Sequence, residues 1–148
     1  MLIRSIESED IESISDLYAS VFSSPPWNEP WNFEKAKLRL EHIFLSKDFV
    51  GLLVEIEESV EAIILGNSEP FLSEKTFHLR EMCVNPKLQG TGIGQRLIQR
   101  LHEKLKELDV SGVYLTTRND IKAANFYRKN GYKLEMNQGV YELSLIHI

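Results

Sequence analysis

Apolar and polar residues change period along this chain, and the changes mark its elements. LIRSIE (2–7) alternates and predicts a strand. From 8 to 22 the period lengthens. Ile11, Ile14, Leu17, Tyr18 and Val21 recur at helical spacing, with Ser8 placed as N-cap and an acidic first turn that suits the helix dipole. SSPPWNEPW (23–31), with three prolines and two tryptophans, breaks the pattern. NFEKAKLRLEHIFL (32–45) predicts a second amphipathic helix capped by Asn32. FVGLLVEI (49–56) and VEAIILGNSE (60–69) predict two strands joined near Glu57, Glu58 and Ser59. KTFHLREMCVNP (75–86) reads as a longer strand that ends at Pro86. TGIGQRLIQRLHEKLKELD (91–109) carries Ile93, Leu97, Ile98, Leu101, Leu105 and Leu108 on one face and predicts a strong helix. GVYLTTR (112–118) reads as a buried strand, and DIKAANFYRKN (120–130) as a short helix stopped by Gly131. YKLEM (132–136) and GVYELSLI (139–146) read as a terminal strand pair around Asn137, Gln138 and Gly139.

The order is therefore β-α-α-β-β-β-α-β-α-β-β, with no internal repeat, linker or low-complexity segment. The central strand–glycine turn–helix–strand is a crossover, which requires a local parallel pair. The hairpins require antiparallel neighbours. The fold class is α/β (α+β) with a mixed sheet, in a single domain over 1–148.

Length and composition fit that picture. The chain has 148 residues, 43% hydrophobic and 26% charged, enough for one domain with a sizeable core. A net charge of -5 argues against general nucleic-acid binding and mildly favours cationic small substrates. One cysteine, Cys83, supports neither a disulfide framework nor a multi-cysteine metal site, and a cytoplasmic location fits. His42, His78, His102 and His147 are scattered without metal-ligand spacing, so no metal is expected. MLIRSIESED does not read as a signal peptide, and no apolar run approaches the roughly 20 residues of a membrane span.

Gly90, Gly92 and Gly94 crowd the junction between the long strand and the long helix. A strand-to-helix turn exposes the helix's first unpaired N–H groups, and bare backbone lets an anion reach them. QGTGIG is thus suited to cradle a pyrophosphate, or equally to make a tight turn with close helix–strand packing. A P-loop would need Lys-Ser or Lys-Thr after its last glycine, where this chain has Gln95 and Arg96. A dinucleotide fold would need an acid ending the next strand, and Asp109 precedes that strand instead. Coenzyme A is the remaining nucleotide-bearing candidate.

VNPKLQGTGIGQRLI resembles the acetyl-CoA binding motif of the GNAT N-acetyltransferase superfamily, Gln/Arg-x-x-Gly-x-Gly/Ala, met by Gln89, Gly92 and Gly94. AANFYRKNGY resembles the family's later helix, met by Ala123, Phe126, Tyr127, Gly131 and Tyr132. The element order also matches that fold, which implies about seven strands and about four helices. Family members often carry Asn seven residues before the Tyr; here Asp120 stands there, with Asn119 beside it.

The resemblance implies acetyl-CoA as acetyl donor. Backbone N–H groups of Gln89, Gly90, Thr91, Gly92, Ile93 and Gly94 would hold the pyrophosphate, with Arg96 either assisting or simply solvated. The main chain of Met82, Cys83 and Val84 would bond the pantetheine arm, where a bulge splays two strands apart. An N–H of Met82 or Cys83 would polarise the thioester carbonyl. Asn119 and Asn125 are implied as further cofactor contacts. Tyr127 is implied as general acid to the departing thiolate; a phenol, with an ordinary pKa of about 10, suits that task. Without the resemblance, Tyr127 reads as a core aromatic.

Glu81 is the candidate base. Its alternatives are an anchor for a substrate ammonium or a salt bridge to a neighbouring strand. Strict alternation puts Leu79, Glu81 and Cys83 on one face and Arg80, Met82 and Val84 on the other, unless a bulge intervenes. Cys83 as a covalent nucleophile is the lesser reading beside a small buried apolar residue.

PPWNEPW lies where family members build the acceptor site. Trp27 and Trp31 would wall it and Glu29 would attract an ammonium, or the loop plugs a sheet edge. It weakly resembles a loop of aminoglycoside 6'-N-acetyltransferases, which implies a small-molecule cationic amine as acceptor. A protein N-terminus or lysine, and a non-catalytic acyl-CoA sensor, are the alternative readings. The apolar, β-prone GVYELSLIHI predicts a homodimer through an exposed edge. No nucleic acid and no membrane are expected as partners.

Overall fold

The two apolar runs at 52–54 and 62–65 become the buried middle of one sheet. The computed structural model describes residues 1–146, so His147 lies outside the described residues. Two compact units are present, Met1–Thr116 and the chain from Thr117 onward.

The first unit holds β1 (Leu2–Ser5), α1 (Ile11–Phe22), α2 (Phe33–Phe44), β2 (Phe49–Ile56), β3 (Ser59–Phe71), β4 (Glu74–Val84), α3 (Ile93–Glu107) and β5 (Gly112–Tyr114). Short 3-10 turns at Ser8–Asp10 and Pro86–Leu88 lead into α1 and out of β4. The sheet order is β1-β2-β3-β4-β5, antiparallel except for the parallel β4–β5 pair that the crossover requires. Residues alternate across the sheet. Leu53, Ile63, Leu65 and Cys83 join the core formed with α1 and α2. Leu52, Val54, Ala62 and Ile64 turn the other way, and α3 packs against β2, β3 and β4. From α3 they meet the apolar stripe Ile93, Leu97, Ile98, Leu101 and Leu105. Leu108, assigned to that stripe by its spacing, lies past the helix end and is exposed.

A bulge interrupts the β3–β4 ladder. Leu65 pairs with Glu81 and Gly66 with Leu79, so Arg80 is an extra residue without a cross-strand partner. Leu65 and Gly66 are neighbours and point to opposite faces, and therefore so do Glu81 and Leu79. This is the exception to strict alternation that a bulge makes: Leu79 does not share a face with Glu81, and the bulge stands at Arg80, ahead of the Met82–Val84 segment where the resemblance implied it. Gly66 is what permits the kink. A Cβ there would collide with the His78 carbonyl oxygen and lie 2.9 Å from Phe77 Cζ. Gly66→Ala should lower stability by about 1–3 kcal/mol in denaturant unfolding, the usual cost of overpacking. An unchanged midpoint would mean that the bulge tolerates a side chain.

The second unit contains α4 (Lys122–Lys129) and an irregular tail. The expected seven strands reduce to five among the described residues. GVYLTTR forms a strand only over Gly112–Tyr114, because its ladder with β4 covers only those three pairs. Neither YKLEM nor GVYELSLI forms a strand. Alternation stabilises a strand only when one face is buried and the backbone has a partner. Here Val140, Tyr141, Leu143, Leu145 and Ile146 remain 70–95% exposed. No helix among the described residues is long and apolar enough to cross a membrane.

Candidate functional site

Three features of the first unit converge on β4. The first is an open helix terminus. After Val84, Asn85 turns the chain: its carboxamide oxygen accepts from Lys87 N at 3.1 Å and its nitrogen donates to Glu61 at 2.8 Å. Gly90 and Gly92 then take left-handed φ of 82° and 88°, which L side chains resist. Gly92 is the N-cap of α3, and no side chain caps the helix. The first return bond runs from Arg96 N to Gly92 O, which leaves the N–H groups of Ile93, Gly94 and Gln95 pointing outward. No acidic residue occupies that first turn. Gln89, Gly90, Thr91 and Gly92 are exposed, whereas the Ile93 side chain is buried in the core. A Cβ on Gly90 or Gly92 would meet nothing within 4 Å. The glycines thus serve backbone conformation and open approach; the tight-packing reading does not hold for these two.

The second feature is a parting of strands. β4 pairs with β5 from Thr76 to His78 and no further, so Leu79–Val84 keep a ladder only with β3. The backbone edge of Met82, Cys83 and Val84 toward β5 carries no strand partner among the described residues. Cys83 points into the core, and burial pushes its thiol well above the usual range. A thiol so placed stays protonated and is no nucleophile.

The third feature is a buried carboxylate. The Glu81 side chain is 14% exposed and forms a 2.9 Å ion pair with Arg39 of α2. The Tyr18 phenol of α1 lies near the same carboxylate, close enough for each group to shift the other's pKa. Burial raises the Glu81 pKa, while Arg39 and Tyr18 oppose the rise. Burial, then the Glu81 charge, pushes the Tyr18 phenol above its usual range, so it remains a donor. Trp31 meets Tyr18 edge-on, with ring centroids 5.0 Å apart, and its Nε1 donates to Glu29 at 3.0 Å. Trp27 packs on Phe22 at 5.1 Å. Both tryptophans are partly buried against the helical core, so the loop is anchored by packing. Glu29 adds a further negative charge that raises the Glu81 pKa.

The fold therefore brings Glu81, Trp31 and Glu29 together, and adds Tyr18 and Arg39, which sequence reasoning missed. Tyr18 stood out only as one more position in an apolar stripe. Its one available signal was a phenol on a buried face, where the hydroxyl needs a partner. Arg39 carried no signal.

The remaining candidates belong to the second unit. Tyr127 lies on α4, with ring contacts to Phe126 at 5.4 Å and Tyr132 at 5.6 Å. Asn125 is exposed and accepts from Arg128 at 3.3 Å. Asn119 is exposed, and next to it Asp120 forms a 2.9 Å ion pair with Arg118 that holds its carboxyl below the ordinary value.

Comparison with known proteins gives a consistent result. The profile of the acetyltransferase (GNAT) family matches residues 11–132. An acetyltransferase of Pectobacterium atrosepticum is 24% identical over 134 residues, covering 90% of this chain and 88% of that protein. The crystal structure of a possible acetyltransferase from Clostridium difficile superposes with a TM-score of 0.80 at 16% identity, over 99% of this chain and 98% of that one. A GNAT family acetyltransferase of Staphylococcus aureus superposes with a TM-score of 0.73 at 20% identity, covering 96% and 98% of the two chains. The structural likenesses establish the fold.

Proposed function

This chain belongs to the acetyltransferase (GNAT) family, and from that premise we propose that it moves an acetyl group from acetyl-CoA to a small-molecule primary amine by direct attack in a ternary complex. The observation that carries the reading is the buried Glu81 carboxylate, held where β4 leaves β5 and one strand end away from an open helix terminus.

The cradle suits the donor. Gly90 and Gly92 leave the approach to the α3 N-terminus clear, and outward N–H groups with the helix dipole suit a pyrophosphate. Acetyl-CoA supplies the activated acetyl group as a thioester. On the free backbone edge, the N–H of Met82 or of Cys83 is the donor to a carbonyl oxygen. An amine arrives as an ammonium and must lose a proton before it attacks. The Glu81 carboxylate accepts that proton, directly or through water, and its raised pKa makes it the better base. The support for Tyr127 as proton donor to the departing thiolate is the family resemblance of its helix, AANFYRKNGY. Trp27 and Trp31 wall the acceptor side, and Glu29 draws the ammonium in.

Thiol release from acetyl-CoA across a panel of primary amines tests the activity. Saturable release with one amine class supports it; equal release with and without amine contradicts it. The cradle has a separate test. Gly92→Val adds local backbone strain of about 1–2 kcal/mol and places a branched side chain in the approach. A folded variant should bind acetyl-CoA about tenfold or more weakly, the effect of losing about 1.4 kcal/mol. Unchanged affinity would remove the cradle. The homodimer is also a proposal, supported by the exposed apolar side chains at 140–146. A monomer mass in sedimentation at micromolar concentration would contradict it.

A further inference from the structure

Arg80, the extra residue of the bulge, is chemically unfinished. Its Nε is buried and has no acceptor among the described residues. Its Nη1 reaches Asn67 Oδ1 only at 3.5 Å, the outer limit of a hydrogen bond. A buried donor on a permanently charged group is costly unless something answers it. Arg39 is half-finished in the same way. Its Nε holds Glu81, its side chain is 34% exposed, and its terminal nitrogens make no hydrogen bond among the described residues. The two guanidinium groups act on common ground. Burial first, and then the charges of Arg80 and Arg39 against the opposing pull of Glu69, depress the pKa of His78. His78 is the last β4 residue paired to β5 and stacks on Tyr114 at 4.5 Å.

We propose that the acceptor amine also bears a carboxylate, which Arg80 and the free edge of Arg39 bind beside Glu81. This rests on the amine-acetylation reading above and narrows its acceptor to amino-acid-like zwitterions. A guanidinium fork matches the two oxygens of a carboxylate, and a carboxylate supplies the acceptor that Arg80 Nε lacks. The donor's phosphates do not meet this need. They belong beyond Val84, and Arg80 lies four residues earlier, about 13 Å along a strand that rises about 3.3 Å per residue. Two fixed cations near the base also disfavour a polycation. One ammonium can be drawn by Glu29 and Glu81, but the others would meet like charge. This weighs against the aminoglycoside and polyamine acceptors suggested by the loop.

The test compares matched acceptors: L-amino acids, their carboxamides, and the corresponding decarboxylated amines. Thiol release from acetyl-CoA is read for wild type, Arg80→Gln, Arg80→Lys and Arg39→Gln, each checked for fold by circular dichroism. The acid should exceed its amide in kcat/KM by on the order of tenfold to a hundredfold, the effect of one charged hydrogen-bonded contact. Arg80→Gln should raise KM for the acid and leave the amide nearly unchanged. Arg80→Lys, which keeps the charge and loses the fork, should fall between. If amides or decarboxylated amines match the acids, or the preference survives undiminished in folded Arg80→Gln, the carboxylate site is wrong and the acetyl-transfer reading stands. If no amine of any kind is acetylated although acetyl-CoA binds, the transfer reading fails and this inference fails with it.

Discussion

Glu81→Gln should lower kcat by about 10²- to 10⁴-fold, the usual contribution of a positioned general base. The substitution keeps the size of the side chain and removes only its charge and basicity. Tyr18 stays beside the carboxamide as a neutral phenol, and Arg39 is exposed enough to be solvated. Stability should move the opposite way. Burial raises the Glu81 pKa despite two favourable partners, so the folded protein holds the ionised form less well than water does. A folded pKa above the unfolded one contributes stability that is complete below the unfolded value and lost as pH rises through the folded value. Above the folded value the wild type has lost that stability, and the permanently neutral Gln has nothing to lose. The variant should therefore melt at or above the wild-type temperature once pH exceeds the folded value, and the difference should close as pH falls below the ordinary carboxylate range. The wild-type rate should climb with pH as Glu81 ionises, and Glu81→Gln should lack that limb. A variant with full activity would leave Glu81 as a structural partner of Arg39 and nothing more.

Tyr127→Phe should also slow transfer by about 10²- to 10⁴-fold, as loss of a general acid does. Acetyl-CoA affinity should change little, because the open α3 terminus and the β4 edge remain intact. Removing one hydroxyl leaves the ring contacts with Phe126 and Tyr132 available. The readout that separates roles is the leaving group. A thioester whose thiol is more acidic needs less protonation, so it should recover much of the lost rate. A defect equal for both thioesters would assign Tyr127 to packing or positioning.

Where a side-chain period met a buried face, the sequence was a good guide. The stripe from Ile93 to Leu105 and the apolar runs of β2 and β3 became core, and the β4–α3–β5 crossover brought its parallel pair. The C-terminal segment had the same alternation but no face to bury, and GVYELSLI stayed out of the sheet. The resemblance implies a bulge near Met82–Val84, but its position at Arg80 was illegible for a different reason. It depends on the register of Gly66 against His78, a cross-strand relation that no local pattern records. Without it, strict alternation puts Leu79 on the face of Glu81. The glycine run announced an open helix start, and the left-handed φ of Gly90 and Gly92 gives it a physical basis. Glu81 was legible as a strand carboxylate. Its setting was not, because Tyr18 and Arg39 come from two helices whose packing brings them to β4.

The most direct measurement uses acetyl-CoA labelled in its acetyl group together with the best acceptor from the amine panel. The account predicts that label appears on the amine nitrogen in step with free thiol, one for one, and that both vanish when the amine is withheld. Thiol release that continues unchanged without amine, with the label recovered as free acetate, would contradict it.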